Sequence, residues 1–250
     1  MFKDYFSQDS AAYSRHRPGY PDSLFSYLSS ITNDHNLAWD CATGSGQSAV
    51  QLAQHFNRVI ATDASTSQIR HAVKHAAVQY CVSRAESSAI EANSLDLITV
   101  AQALHWFDLT AFTAEVDRTL KDKGIFAVWT YNLLRIRSDI DELINDLYSK
   151  TLEQYWSAER RMVEQGYQSI EFPDSEYTEL STPDFNMTAK WNVEQLIAYL
   201  STWSAVKAYI SKNKQNPIES IKGRLLNRWG NAEPQMTVTW PLTVRVWQKN

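Results

Sequence analysis

The feature that most constrains this chain is an alternation of short apolar runs with amphipathic stretches between residues 37 and 131. Each run has the length of a buried strand, and the stretches between runs carry apolar residues at three-to-four spacing. Consecutive parallel strands need helical crossovers of this kind, and such crossovers are right-handed. The pattern therefore predicts an α/β fold with a doubly wound, mostly parallel sheet. The runs are 37–39, 58–62, 79–82, 95–100 and 125–130.

The segments on either side of this alternation differ from it in character. Pro21 and Asp22 supply first-turn signals for a helix that precedes the first strand. After residue 131, apolar residues at helical spacing predict helices over 136–147 and 196–206, and another after Pro217. The tail alternates apolar and polar residues over 237–247, which predicts a late antiparallel strand. We therefore expect a seven-stranded sheet with inserted helices.

Composition and charge exclude several classes of protein. The formal net charge is −4 and basic residues form no stripe, so we expect neither nucleic acid nor a membrane surface as a partner. Two cysteines cannot build a disulfide scaffold, and no apolar run approaches the ~18 residues of a membrane helix. No secretory signal follows Met1, so a cytoplasmic protein is expected, and nothing in the sequence indicates an oligomeric state. His71 and His75 lack a second ligand pair, so no metal site is predicted.

A glycine-containing segment joins the first predicted strand to the helix after it. Gly44 and Gly46 allow the backbone to turn sharply and to approach a ligand without interference from a Cβ atom. Asp63 follows the second strand, where an acid can accept the two hydroxyls of a ribose. Asp40, just before the loop, repels a pyrophosphate and attracts an ammonium group. These charges favour S-adenosylmethionine over a dinucleotide as the ligand.

Several motifs taken together resemble the class I S-adenosylmethionine-dependent methyltransferases, and among them the type 11 and trans-aconitate methyltransferase-like proteins. The similarity runs from about residue 5 to residue 131 and implies a Rossmann-like methyltransferase fold with S-adenosylmethionine as cofactor. Beyond residue 131 only the general layout is similar. The segments that carry the resemblance are 40–46, 62–65, 85–86, 94–100 and 101–108.

The resemblance also implies which residues bind the cofactor. Gly44 and Gly46 would line its methionine portion, Asp40 would lie near the ammonium group, and Asp63 would bind the ribose. Arg84 stands where many relatives carry an aspartate for the adenine amine, so Glu86 or backbone groups would take that contact. The other expected contacts are Ala42 in the loop, Ala64, Ala85 and Glu86 beside the adenine, Gln102 facing the sulfonium, and Tyr13 and Arg17 in a covering segment.

The candidate catalytic residues are His105 and Trp106, which follow the fourth strand. His105 is a candidate base or hydrogen-bond donor to the acceptor, and Trp106 can offer a ring face to a sulfonium. A packed tryptophan beside a histidine bonded to backbone is the structural alternative. Aromatic residues of the second half are further candidates for an acceptor pocket, although core packing is their commoner role: Tyr131, Trp156, Tyr167, Trp191 and Trp203.

These assignments lead to an expected organisation and activity. Residues 1–36 would cover the cofactor, 37–131 would form the core that binds it, 132–236 would supply helical, aromatic insertions on the acceptor side, and 237–250 would complete the sheet. The expected reaction is methylation of a small molecule, with a carboxylic acid oxygen favoured by the arginines near Arg17. Two alternatives stay open: a nicotinamide-dependent oxidoreductase that uses Gly44, Gly46 and Ala49, and a protein that binds S-adenosylmethionine without transferring its methyl group.

Overall fold

The structure is a computed structural model that describes residues 18–172, 175–230 and 235–250. One mixed sheet organises these residues. Its first five strands are β1 (Leu37–Cys41), β2 (Arg58–Asp63), β3 (Val78–Val82), β4 (Leu95–Ala101) and β5 (Leu120–Tyr131). The later strands are β6 (Tyr177–Leu180), β7 (Phe185–Trp191) and β8 (Met236–Lys249).

Helices cover both faces of the sheet and fill the segment after β5. Those of the first half are α1 (Asp22–Ile31), α2 (Gln47–Leu52), α3 (Thr66–His71) and α4 (Leu109–Thr119). Those of the second half are α5 (Ser138–Asp146), α6 (Arg160–Glu164), α7 (Val193–Ser201), α8 (Ser204–Asn213) and α9 (Glu219–Trp229). A π-helical turn at Leu147–Thr151 extends α5, and short 3₁₀ turns occupy Leu104–Trp106 and Glu153–Tyr155.

The strand order confirms the predicted fold class. The sheet runs β3-β2-β1-β4-β5-β8-β6, and its first five strands are parallel, as the apolar runs predicted. Strand β8 is antiparallel to β5, which confirms the late antiparallel strand. Because the order reverses direction at β1, the strands β1 and β4 flank the switch point where open α/β sheets bind their ligands.

The expected count of seven strands is wrong, because the described residues form eight. Strand β8 is long enough to pair with β7 through its first half and with β6 through its end. Residues 132–236 are therefore not helical throughout. The sequence does carry a signal for β7: Phe185, Met187 and Trp191 are buried while the residues between them are more exposed, the alternation of a strand with one covered face.

The single helix expected over 196–206 is also wrong. The chain leaves α7 at Thr202 and begins α8 at Ser204, and the residue between them, Trp203, has an extended backbone (φ −62°, ψ 134°). The indole of Trp203 packs edge-on against Tyr148 and Tyr199. The break therefore directs the ring of Trp203 into a buried aromatic cluster. An unbroken helix over these residues would not place the ring there.

Apolar side chains cover the sheet on both faces, and a separate cluster fills the second half of the chain. The first-half core includes Trp39 and Trp129 on opposite faces of the sheet, both with no exposed surface. The second-half cluster is centred on the buried Trp240 of β8 and joins α5, α7, α8 and α9. Within the described ranges, no helix has the length and apolar character to cross a membrane.

Candidate functional site

A cleft of about 470 Å³ opens at the carboxyl ends of β1, β2, β3 and β4. Parallel strands bring these ends to one edge of the sheet, so the loops that follow the strands share its walls. Eight residues predicted from the sequence line this cleft: Ala42, Gly44, Asp63, Ala64, Ala85, Glu86, Gln102 and Trp106. The structure thus brings these eight residues into one cavity, and their binding roles stay predictions.

The backbone around the cleft is held in a conformation that most residues avoid. Ala42 and Gln102, which follow β1 and β4, have left-handed φ values of 55° and 54°. A non-glycine residue there is strained and persists only where its surroundings fix it, which is common at binding sites. Gly44 is also left-handed, with φ 55°, and a Cβ built on it meets no atom within 4 Å. The loop therefore exposes its main chain to open space, and a ligand can occupy that space.

Asp63 connects the tip of β2 to the glycine loop. One carboxylate oxygen accepts the backbone N–H of Gly44 at 2.9 Å, and the other accepts the N–H of Ser65 at 2.8 Å. A carboxylate oxygen can accept more than one hydrogen bond, so this carboxylate is also of the type that accepts hydroxyl donors from a ribose. The donor and acceptor set at this position therefore fits the nucleoside part of S-adenosylmethionine.

Asp40 lies behind the cleft wall, and its expected place near the ammonium group stays a prediction. Its carboxyl is only 1% exposed and is not part of the cleft wall. It accepts hydrogen bonds from the hydroxyls of Thr43, at 2.5 Å, and Thr99, at 3.0 Å. Burial raises the pKa of Asp40 to about 6, and those hydroxyl bonds oppose the rise. The residue therefore supports the loop from beneath, because Thr43 of the loop stands between it and the cleft.

Gly46 also lies behind the wall. Its φ is 83°, and a Cβ added to it would fall 2.4 Å from the hydroxyl of Tyr80 on β3. That hydroxyl donates to the carbonyl of Val73 at 2.5 Å, and the N–H of Val73 donates to the carbonyl of Ser45. Glycine is thus required here for close packing of the loop on β3, and Gly46 is not among the residues that line the cleft.

The region expected to hold the adenine carries a chain of polar contacts. Arg84, at the position where relatives have an acid, is exposed and pairs with Glu86 at 3.3 Å. The other carboxylate oxygen of Glu86 accepts the backbone N–H of Asp108 at 3.1 Å. Glu86 is thereby fixed on the cleft wall between Arg84 and the start of α4, in a position to accept an amine donor.

The two candidate catalytic residues occupy different positions relative to the cleft. Trp106 is 36% exposed and lines the cleft, whereas His105 does not. The Nδ1 atom of His105 lies 2.9 Å from the hydroxyl of Tyr167, outside the cleft wall. Burial, with the nearby charge of Arg160, lowers the pKa of His105 to about 4. His105 is therefore neutral near pH 7 and is a weak base.

Sequence reasoning assigned no role to several residues of the cleft, among them Phe107, Asp108 and Glu159. Glu159 comes from the segment before α6, far along the chain, and no motif marks it. Its position depends on the next residue: Arg160 lies over the rings of Trp156 and Tyr148 at 5.1 and 5.6 Å. The aromatic residues considered for an acceptor pocket are absent from the described lining of the cleft and pack into the cores instead.

Other candidates from the sequence do not join the site. Tyr13 and Arg17 lie outside the described residues. Helix α3 ends at His71, so His71 and His75 do not share a helix face, and both are exposed. In the part of the chain that the structure describes, no cluster of three or more histidine, cysteine or acidic residues has the arrangement of a metal site.

Comparisons with known proteins extend this picture. Residues 39–128 match the family model of a methyltransferase domain. A Dictyostelium discoideum protein described as a methyltransferase is 35% identical over 236 residues, 93% of this chain and 89% of that protein. A solved structure from Anaeromyxobacter dehalogenans, described as a type II methyltransferase, has a TM-score of 0.86 and 38% identity, covering 92% of this chain and 97% of that one. A Saccharomyces cerevisiae protein described as an S-adenosylmethionine-dependent methyltransferase is 27% identical over 132 residues, 49% of this chain and 45% of that protein. The first two similarities therefore extend over the second half of the chain as well as the first.

Proposed function

The chain belongs to the class I S-adenosylmethionine-dependent methyltransferases, and on that premise we propose that it methylates a small molecule at a carboxylate oxygen. The observation that carries the proposal is the composition of the cleft. Its described lining includes no lysine, histidine or cysteine, and His105 faces Tyr167 with a pKa of about 4. A carboxylic acid is already ionised near pH 7 and needs no base, so a lining without histidine, the commonest general base, suits it better than a phenol.

The cofactor would be held by residues that the structure brings to the cleft. Gly44 offers bare backbone to the methionine portion, Asp63 offers acceptors for the ribose, and Glu86 offers an acceptor for the adenine amine. When bound, S-adenosylmethionine supplies a methyl group activated by a sulfonium. The contribution of this chain is then to align the acceptor with that group and exclude water, an effect worth on the order of 7–11 kcal/mol for well-oriented reactants.

The charge of the cleft favours a second candidate, an amine acceptor. Asp108 and Glu159 add two carboxylates to those of Asp63 and Glu86, and the single basic residue in the described lining is Arg84. Such a wall attracts cations and repels anions. A carboxylate acceptor would therefore depend on the arginines of the covering segment, Arg15 and Arg17, which lie outside the described residues.

The test is a methyl-transfer assay with S-adenosylmethionine and matched panels of small carboxylic acids, amines and phenols, read by mass spectrometry. We expect ester products from one or more acids and no product from the Asp63→Ala variant. Products confined to amines would replace the first candidate with the second. Calorimetry with S-adenosylhomocysteine and NAD accompanies the assay. Tight binding of the former with no product in any panel would indicate a binding protein without transfer activity.

A further inference from the structure

A tyrosine of β3 contacts the glycine loop from behind the cleft wall. Tyr80 lies in the middle of β3, which is an edge strand of the sheet, and neither it nor Gly46 is among the described residues that line the cleft. A Cβ added to Gly46 would lie 2.4 Å from the hydroxyl oxygen of Tyr80 and 3.2 Å from its ring carbons Cε1 and Cζ. The tyrosine therefore fills the space beside the loop that a side chain at Gly46 would otherwise occupy.

The hydroxyl of Tyr80 also reaches the loop through a backbone bridge. It donates to the carbonyl of Val73 at 2.5 Å, and the N–H of Val73 donates to the carbonyl of Ser45 at 3.0 Å. Ser45 stands between the two left-handed glycines, Gly44 and Gly46, and lines the cleft. Tyr80 therefore holds the loop in two ways, by packing on Gly46 and by hydrogen bonds that end at Ser45.

Hydrogen bonds contribute more than side-chain packing to the position of Val73. Its side chain is 53% exposed, so burial of apolar surface contributes little to holding this residue in place. The next residue strengthens the contact with β3, because the ammonium of Lys74 lies over the ring of Tyr80 at 5.0 Å, within the range of a cation–π attraction. The segment after α3 is therefore attached to Tyr80, and the glycine loop is attached to that segment.

The hydroxyl of Tyr80 keeps its proton near pH 7. Burial, with the nearby charge of Asp40, raises the pKa of Tyr80 to about 12. A protonated phenol has one hydrogen to donate, and the carbonyl of Val73 receives it. Phenylalanine at this position keeps the aromatic ring beneath Lys74 but cannot donate that hydrogen bond. Tyr80→Phe is therefore a specific probe of the hydroxyl.

We propose that Tyr80 is a positioning residue for cofactor binding: its hydroxyl, through the backbone of Val73, holds Ser45 and the glycine loop in the conformation that receives the cofactor. The inference rests on the proposed function, in which this loop offers backbone to the methionine portion of S-adenosylmethionine. The proposed contacts of the ribose and the adenine, Asp63 and Glu86, lie outside the loop. Loss of the hydroxyl should therefore weaken binding of the amino-acid portion more than binding of the nucleoside.

The first test compares two ligands by calorimetry on the whole protein. S-adenosylhomocysteine carries the nucleoside and the amino-acid portion, whereas 5′-methylthioadenosine has the same nucleoside and sulfur without the amino acid. Tyr80→Phe should weaken S-adenosylhomocysteine about tenfold, the loss of one hydrogen bond, and 5′-methylthioadenosine less than about threefold. Tyr27→Phe is the matched control, because the hydroxyl of Tyr27 also donates to a backbone carbonyl, that of Ser181 at 2.9 Å, and neither residue is in the described lining of the cleft. It should leave both affinities unchanged.

The second test uses the close contact with Gly46. Gly46→Ala should weaken S-adenosylhomocysteine about 30-fold, because the added methyl group overlaps the hydroxyl of Tyr80. In the Tyr80→Phe background that oxygen is gone, so the same substitution should weaken binding by only about tenfold or less, a coupling expected of residues in contact. Equal losses for the two ligands in Tyr80→Phe, no loss for either, or additive losses in the double variant overturn the inference. Failure of the wild type to bind S-adenosylhomocysteine contradicts the proposed function instead.

Discussion

The two walls of the cleft are built in different ways. On one side, the lining residues follow directly on the ends of β1, β2, β3 and β4. On the opposite side, Glu159 arrives from the long insertion after β5, and side chains hold its neighbours in place. A wall made of strand ends depends on local turns, whereas a wall made of an insertion depends on packing between distant segments. Substitutions should therefore separate cofactor binding from the stability of the second half.

The largest effect is expected at Asp63. Its carboxylate accepts the N–H groups of Gly44 and Ser65 and is the proposed acceptor for the ribose. Asp63→Ala should weaken S-adenosylhomocysteine binding roughly 100-fold, since hydrogen bonds to a charged group contribute about 1.5–3 kcal/mol each. Calorimetry measures this directly. Asp122→Ala, which removes an exposed carboxylate in β5, should leave the affinity unchanged, and an equal loss in both variants would contradict the role of Asp63.

A smaller effect, on stability alone, is expected in the second half. The buried indole N–H of Trp240 donates to the hydroxyl of Tyr199 at 3.1 Å. Tyr199→Phe leaves that donor without its partner and should lower the free energy of unfolding by about 1–3 kcal/mol. Denaturant unfolding measures the loss, and cofactor affinity should not change. Tyr155→Phe, which removes a more exposed hydroxyl bonded to Asn213, should cost less than about 0.5 kcal/mol.

A pair of glycine substitutions contrasts the two halves next. Gly44→Ala places a methyl group in the cleft at a left-handed residue, so S-adenosylhomocysteine binding should weaken about tenfold. Gly223→Ala lies in the middle of α9, at an exposed site where an added Cβ meets nothing within 4 Å. That change should stabilise the protein by about 0.5–1 kcal/mol without altering affinity. Equal affinities in the two variants would show that the loop does not approach the ligand.

The smallest effect is a dependence of stability on pH with two opposed contributions. Burial raises the pKa of Asp40 from its ordinary 3.8 to about 6. Between about pH 4 and 6 the folded state therefore binds more protons at this group than the unfolded state does. The contribution of Asp40 to the free energy of unfolding falls as the pH rises through that range. The pKa of His105 is lowered from 6.5 to about 4, so its contribution rises over about pH 4–6.5.

Variants at the two positions separate these contributions. In Asp40→Asn the free energy of unfolding should rise more steeply with pH than in the wild type. In His105→Gln the free energy of unfolding should fall as the pH rises. Denaturant unfolding at a series of pH values measures each slope. Parallel profiles for the wild type and both variants would contradict the opposed shifts.

Sequence reasoning located the cofactor side of the cleft better than the opposite side. The loop around Gly44, and Asp63 after β2, are close in sequence to the strands that place them, so their positions follow from the strand pattern. Strand β7 carried a readable alternation that was overlooked. Glu159 and Tyr167 carried no local signal, because each is positioned by a contact with a distant element.

The parallel core, the late antiparallel strand and the residues at the strand ends can all be inferred from local sequence patterns, because hydrophobic period and turn chemistry act over a few neighbours. The direction in which each side chain points depends instead on the three-dimensional packing of the chain. It turned Asp40 beneath the loop and His105 toward Tyr167, since their hydrogen-bond partners, Thr99 and Tyr167, lie 59 and 62 positions away in the chain. Burial and partner choice are properties of packing between distant segments, and packing assigned these two residues to support the site from behind its wall.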